Sequence, residues 1–224
     1  AVDLELQIGG FEFNSVIRAQ SSRMDSGGKG FNVSRMLRNL KVDSTAMGFV
    51  GGLNGQRLKA ELSGLGIATA FTSIAGETRT NVSIVAHENG QHIKVNEAGP
   101  TVSEAEVGTL IQSVKDNLRQ GDWWVLGGSL PAGIDETIYA TLITMIEGAG
   151  AHAVLDTSGA ALRHGCLAGP SLVKPNLEEA VQLLGMTEAD ANESNDWITG
   201  LLGLGPKNVV VSRGKDGALI ATAQ

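Results

Sequence analysis

The chain has 224 residues, enough for one large domain. Its net charge of −7 and pI near 5.1 exclude bulk attraction to nucleic acid or to an anionic membrane surface. A content of 42% hydrophobic and 4% aromatic residues, with 30 glycines, fits an aliphatic α/β enzyme rather than a disordered or fibrous chain.

Cys166 is the sole cysteine, so no intrachain disulfide can form and a cytoplasmic setting is expected. No apolar run approaches the length of about 20 residues that spans a bilayer. His87, His92, His152 and His164 lack metal-ligand spacing, which argues against a transition-metal site.

In chain order, Leu4 and Leu6 alternate with polar neighbours, and Val16 and Ile17 continue the extended stretches of residues 1–24. A glycine-rich turn, Asp25-Ser26-Gly27-Gly28-Lys29-Gly30, comes next and leads into a helix. Val33, Met36, Leu37 and Leu40 recur there at helical spacing and predict one buried apolar stripe. Lys29 and Asn32 fall on its first turn, where open backbone N–H groups and the helix dipole favour an anionic or hydroxyl-rich ligand. Residues 44–50 predict a buried strand and residues 54–65 a helix.

Residues 80–86 and 92–95 alternate around Asn89-Gly90, a strong hairpin signal. Their two-faced pattern predicts a small sheet with an open face, set apart from the main one. Ser103 and Glu106 form a capping box for a helix carrying Val107, Leu110, Ile111, Val114 and Leu118 on one face. Strands at 123–126, 151–155, 172–173, 208–212 and 218–221 alternate with helices at 136–147, 177–184 and 195–202. That rhythm predicts a mainly parallel sheet with helices on both faces. Ligands in such sheets sit beyond the carboxyl ends of strands. Three of those ends are polar: Gly127-Gly128-Ser129, Asp156-Thr157-Ser158 and Lys174-Pro175-Asn176. Neither a Walker-type phosphate loop nor a dinucleotide glycine fingerprint is present in the sequence.

Gly27-Gly28-Lys29-Gly30-Phe31-Asn32-Val33 resembles the N-terminal signature of the PfkB (ribokinase-like) carbohydrate kinases. Further segments place the resemblance in the branch that phosphorylates 1-phosphofructose and tagatose 6-phosphate. Ala1-Val2-Asp3 is similar to that branch's Asn-Pro-Ala-x-Asp, and Thr78-Arg79-Thr80-Asn81 to its Thr-Arg-x-Asn. Asn96-Glu97-Ala98-Gly99-Pro100 resembles its Asn-Glu-Pro-Gly-Pro, with Ala98 in place of proline. The resemblance implies that Asp3, Gly28, Gly30, Asn32, Asn81 and Ser129 bind the sugar. Lys29 and Arg79 would grip the phosphate it already carries. A planar guanidinium suits that phosphate, and a carboxylate suits two hydroxyls.

Lys174-Pro175-Asn176-Leu177-Glu178-Glu179 matches the family's Lys-Pro-Asn-x-x-Glu. Ser212-Arg213-Gly214-Lys215-Asp216-Gly217 is similar to its Ser-x-Gly-x-x-Gly. These imply that Lys174, Asn176, Ser212, Gly214 and Gly217 bind ATP and that Glu179 holds Mg²⁺ through water; Asp156 resembles a nearby acidic position of the family that would join Glu179 at the metal. Asn176 and Glu179 also read as a helix cap with a first-turn glutamate, and the preceding Lys174 tips the balance toward the nucleotide role.

The family's Gly-Ala-Gly-Asp motif, whose Asp acts as catalytic base, has no counterpart up to Gln224. The expectation is therefore one ribokinase-like three-layer α/β/α domain over 1–224, incomplete at its C-terminus. A β-sheet lid would come from about 4–24 and 80–95, and its open face would form a homodimer. The implied activity is ATP-dependent phosphorylation of a ketohexose phosphate, fructose 1-phosphate first and tagatose 6-phosphate second. The alternative is a fragment that holds sugar phosphate without turnover.

Overall fold

The computed structural model describes residues 1–223. The chain divides into two compact units, residues 1–110 with 131–133, and residues 111–130 with 134–224.

The first unit opens with β1 (Val2–Ile8), β2 (Ser21–Ser26), α1 (Lys29–Asn39), β3 (Thr45–Val50), α2 (Gly52–Gly64) and β4 (Ala68–Ser73). It continues with β5 (Thr80–Ala86), β6 (His92–Asn96) and the first turns of α3 (Glu104–Asn117). Four strands form a sheet in the order β2-β1-β5-β6, with β1 and β5 parallel and the outer pairs antiparallel. The register puts Leu4, Val82, Val95 and Met24 in one row, and Leu6, Ile84, Ile93 and Ser22 in the next. Side chains alternate across a strand, so these rows share one apolar face. Asp3, Glu5, Asn81, Ser83, Lys94 and Asp25 occupy the other, polar face.

β3 and β4 pair in parallel beside this sheet. Val2, Val50 and Leu58 form one buried cluster, and Ala46, Leu62 and Ile67 another. Phe31 and Phe71 pack against both, edge to face at 5.5 Å between ring centres.

Three expectations give way in this unit, and one strand is unforeseen. Val16 and Ile17 lie in an irregular exposed loop between β1 and β2, and not in a strand. β2 runs through Asp25 and Ser26, which shortens the glycine turn to Gly27-Gly28. In α1 the buried side is set by Ser34 and by Phe31 one turn earlier. This rotates Met36 and Leu40 outward, to 59% and 65% exposure. β4 was not predicted at all; its sequence, Ala-Thr-Ala-Phe-Thr-Ser, has neither a clean alternation nor an apolar run.

The second unit contains β7 (Trp123–Gly127), α4 (Ile138–Gly148), β8 (His152–Asp156), α5 (Gly159–Leu167) and β9 (Leu172–Val173). Then come α6 (Leu177–Leu184), α7 (Glu188–Glu193), α8 (Ile198–Leu202), β10 (Asn208–Ser212) and β11 (Ala218–Thr222). Its sheet has the order β11-β10-β9-β8-β7, parallel from β7 to β10, with β11 antiparallel. The expected βα alternation is thus realised. The unpredicted α5 is needed to bury Leu162 and Cys166. A Cβ at Gly165 would lie 2.3 Å from Leu155 Cδ2, so glycine there permits close approach of α5 to β8. The helices start two residues later than expected at Ile138 and three later at Ile198. No helix among the described residues is long and apolar enough to cross a membrane.

Candidate active site

In the first unit, strand register gathers the predicted acceptor residues at one end of the four-stranded sheet. Val2 is paired with Ser26 on one side and Thr80 on the other. Just beyond that row, the Gly27 N–H donates to the Ala1 carbonyl (2.9 Å), and the Val2 N–H donates to the Arg79 carbonyl (2.9 Å). Gly27 and Arg79 therefore flank the start of β1. Asp3 sits directly opposite Asn81, whose Nδ2 donates to Asp3 Oδ1 at 2.9 Å. Asn81 Oδ1 is buried and accepts no hydrogen bond.

Two glycines fit this geometry for different reasons. A Cβ on Gly27 would lie 2.1 Å from Asp3 Oδ2, so only hydrogen fits there. Gly28 has φ +127°, a region that L side chains avoid. Gly28 is also the N-cap of α1. It supplies no side-chain cap, and the first turn of α1 has no acidic residue. Lys29 and Asn32 lie on that turn as predicted, and both are exposed. The helix start thus keeps the positive end of its dipole for an anion.

The turn is fixed from behind. Buried Ser26 donates its hydroxyl to Glu61, and Arg35 pairs with Glu61 at 2.6 Å. Arg79 is held by its neighbours. Its Nη1 donates to the Glu97 carbonyl (3.5 Å), and Gly99 (φ +83°) lies against its aliphatic stem. Glu97 Oε2 accepts from the Thr80 N–H (2.8 Å), and the buried Thr78 hydroxyl accepts from the Gly51 N–H (2.9 Å). Asn54 Nδ2 donates to the Thr78 carbonyl (2.9 Å). Glu61 and Asn54 anchor residues of the site and no local sequence pattern singles them out, whereas Glu97 falls within the Asn96-to-Pro100 segment already noted.

In the second unit, the predicted residues lie at the carboxyl ends of strands. Ser129 follows β7 on a turn in which Gly128 has φ +100°. Asp156 ends β8, with its side chain only 17% exposed, and pairs with Lys174 Nζ at 3.1 Å. Asn176 and Glu179 form a reciprocal capping box. The Glu179 N–H donates to Asn176 Oδ1 (2.7 Å), and the Asn176 N–H donates to Glu179 Oε2 (2.9 Å). The Ser212 N–H donates to the Pro175 carbonyl (3.1 Å), and Asn176 bridges to Ser212.

An open cleft forms at this junction. Asn176, Ser212 and Gly214 line it, together with Leu177, Arg213, Glu178, Glu188 and Asp216. Lys174, Glu179 and Gly217 are not among its lining residues. Gly214 (φ +58°) and Gly217 (φ +83°) shape the turn that closes it. Arg213 was missed because it fills a variable position of the motif. Among the described residues, no group of three or more His, Cys, Asp or Glu side chains converges as a metal cluster.

These units have the ribokinase-like α/β architecture. Over residues 1–224 the chain matches the family model described as "pfkB family carbohydrate kinase". It is 33% identical to the 1-phosphofructokinase of Bacillus subtilis over 222 residues, covering 99% of this chain and 72% of that protein. It is 31% identical to the tagatose-6-phosphate kinase of Staphylococcus epidermidis, covering 97% and 71%. Among solved structures, phosphofructokinase-2 from Escherichia coli in complex with fructose-6-phosphate superposes with a TM-score of 0.93 at 26% identity. That match covers 100% of this chain and 74% of the other. The chain belongs to the pfkB family of carbohydrate kinases.

Proposed function

We propose that the protein transfers the γ-phosphoryl group of ATP to a ketohexose phosphate, with fructose 1-phosphate the preferred acceptor. The observation that carries this reading is the acceptor-type group at one end of the first sheet. There Asp3 is hydrogen-bonded to Asn81, packed on side-chain-free Gly27, and followed by the uncapped start of α1. Relatives named 1-phosphofructokinase support the choice of acceptor, and the tagatose-6-phosphate kinase relative supports tagatose 6-phosphate as second.

In this reading Asp3, Asn81 and Asn32 orient sugar hydroxyls, and Gly28 and Gly30 admit the sugar to the backbone. Lys29 and Arg79 hold its existing phosphate, and Ser129 hydrogen-bonds the acceptor. Lys174, Asn176, Ser212, Gly214 and Gly217 hold the nucleotide. Glu179 and Asp156 hold Mg²⁺ through water, a coordination that suits a hard cation reluctant to dehydrate and needs no carboxylate cluster. When bound, Mg-ATP supplies the phosphoryl group and neutralises charge on its oxygens. The protein's own contribution is positioning and fixed dipoles. The apolar face bearing Leu4, Leu6, Ile84, Ile93 and Val95 is read as a homodimer surface. A reducing, cytoplasmic compartment fits a lone buried Cys166, whose thiol burial pushes up to about 12.

Calorimetric titration with fructose 1-phosphate and tagatose 6-phosphate, beside a coupled ADP-release assay, tests the function. The expected result is tighter binding and faster turnover with fructose 1-phosphate. Binding neither ketose phosphate refutes the assignment, and binding without ADP release reduces the chain to a holder of sugar phosphate. Sedimentation as a monomer refutes the dimer.

A further inference from the structure

We propose that the hydroxyls of Tyr139 and Thr157 are positioning groups that clamp the Gly128 carbonyl and so fix the backbone that presents Ser129. This rests on the sugar-kinase reading above. Tyr139 Oη donates to the Gly128 carbonyl at 3.0 Å, and Thr157 Oγ1 donates to the same oxygen at 2.9 Å. The Gly128 N–H donates to the Asp156 carbonyl at 3.1 Å. A carbonyl offers two lone pairs and an amide one hydrogen. Every polar group of Gly128 is thus committed, and the residue is held at φ +100°, where its own torsional preference would not keep a side-chain-bearing residue.

Both hydroxyl donors are buried, Tyr139 at 9% and Thr157 at 2% exposure. Tyr139 is the only tyrosine in the chain and sits on the buried face of α4 with Leu142, Ile143 and Ile146. Phenylalanine would fill that space equally well, so the hydroxyl serves the turn rather than the core. Burial, and then the neighbouring Asp156, push the Tyr139 hydroxyl up to about 12, so it remains a donor at any working pH. Two rigid elements, α4 and the end of β8, therefore converge on one carbonyl immediately before an exposed serine.

The test compares Tyr139→Phe, Thr157→Val, the double variant, and Thr157→Ser, which restores the hydroxyl. Fructose 1-phosphate binding is measured by calorimetry, and amide hydrogen exchange is followed at Gly128, whose N–H is bonded to the Asp156 carbonyl, and, as a remote control, at Val209 in β10. Loss of one net hydrogen bond predicts a Kd rise of about threefold to tenfold for each single variant, larger for the double. Gly128 exchange should quicken while Val209 stays protected, and Thr157→Ser should match the parent. An unchanged Kd in the double variant overturns the proposal. So does exchange that rises equally at Gly128 and Val209, because that marks general loosening. If the parent protein itself binds no fructose 1-phosphate, the kinase reading fails, and unaltered Gly128 exchange in the double variant then overturns the clamp separately.

Discussion

Gly27→Ala is the sharpest perturbation of the acceptor group. Gly27 does not have positive φ, so alanine suits its backbone. The new methyl, however, would stand 2.1 Å from Asp3 Oδ2 and 2.4 Å from Oδ1. The Asp3 carboxylate must swing away and release Asn81 Nδ2. Overpacking and the lost charged hydrogen bond each cost about 1–3 kcal/mol when buried. Asp3 is exposed, which places the sum near the bottom of that range. Replacing glycine returns about 0.4–1 kcal/mol by restricting the unfolded chain. The net expectation is a loss of about 1 kcal/mol in the parent. In an Asp3→Ala background the clash has no partner, and the same change should be neutral or slightly stabilising. Urea denaturation of the four proteins measures the coupling, expected at about 1–2 kcal/mol. Fructose 1-phosphate affinity should fall at least about tenfold in Gly27→Ala, with little further loss in the double variant. Stability changes that add within about 0.5 kcal/mol would refute the reasoning.

On the proposed reading Arg79→Lys keeps the charge and loses the fork that grips the phosphate, so acceptor affinity should fall about tenfold or more by calorimetry. Lys41 has φ +61° in a Schellman turn, where its N–H donates to the Arg38 carbonyl and the Val42 N–H to the Leu37 carbonyl. Lys41→Gly removes the left-handed penalty and should gain about 0.5–1 kcal/mol in urea denaturation, whereas a loss would contradict it. Glu147 accepts from Lys207 Nζ (2.7 Å) and from the Ala153 and Ser171 N–H groups (2.9 and 2.8 Å). Burial raises its carboxyl, but these bonds together hold it below its ordinary value. A depressed folded value means the contribution is complete above the unfolded carboxyl's range and is lost as pH falls through the folded one. The stability gap between the parent and Glu147→Gln, about 1 kcal/mol at neutral pH, should therefore close on acidification to roughly pH 3. A gap that stays constant or widens in acid excludes this account.

Much of the architecture was legible in local sequence because the relevant physics is local. Alternation at residues 80–86 and 92–95 gave both β5 and β6, and the Ser103/Glu106 and Asn176/Glu179 spacings became real capping boxes. The βα rhythm gave a parallel sheet, and the Gly27-Gly28 turn gave a helix start at Lys29. Periodicity could not say which side of α1 would be buried. Met36 and Leu40 fit the apolar stripe but ended outside, because Phe31 packs against Phe71 and both core clusters and fixes the helix rotation.

By itself, then, the sequence determined the residue types of the site and the turns that carry them. Glycines, prolines and capping pairs act over a few bonds. Only the tertiary structure decided what those residues touch. Strand register set Asp3 against Asn81 and placed Gly27 and Arg79 on either side of Ala1, across gaps of up to 78 residues. The supports supplied by Glu61, Asn54, Glu97, Tyr139 and Thr157 likewise exist only once distant segments meet, since a hydrogen bond depends on separation in space and not along the chain.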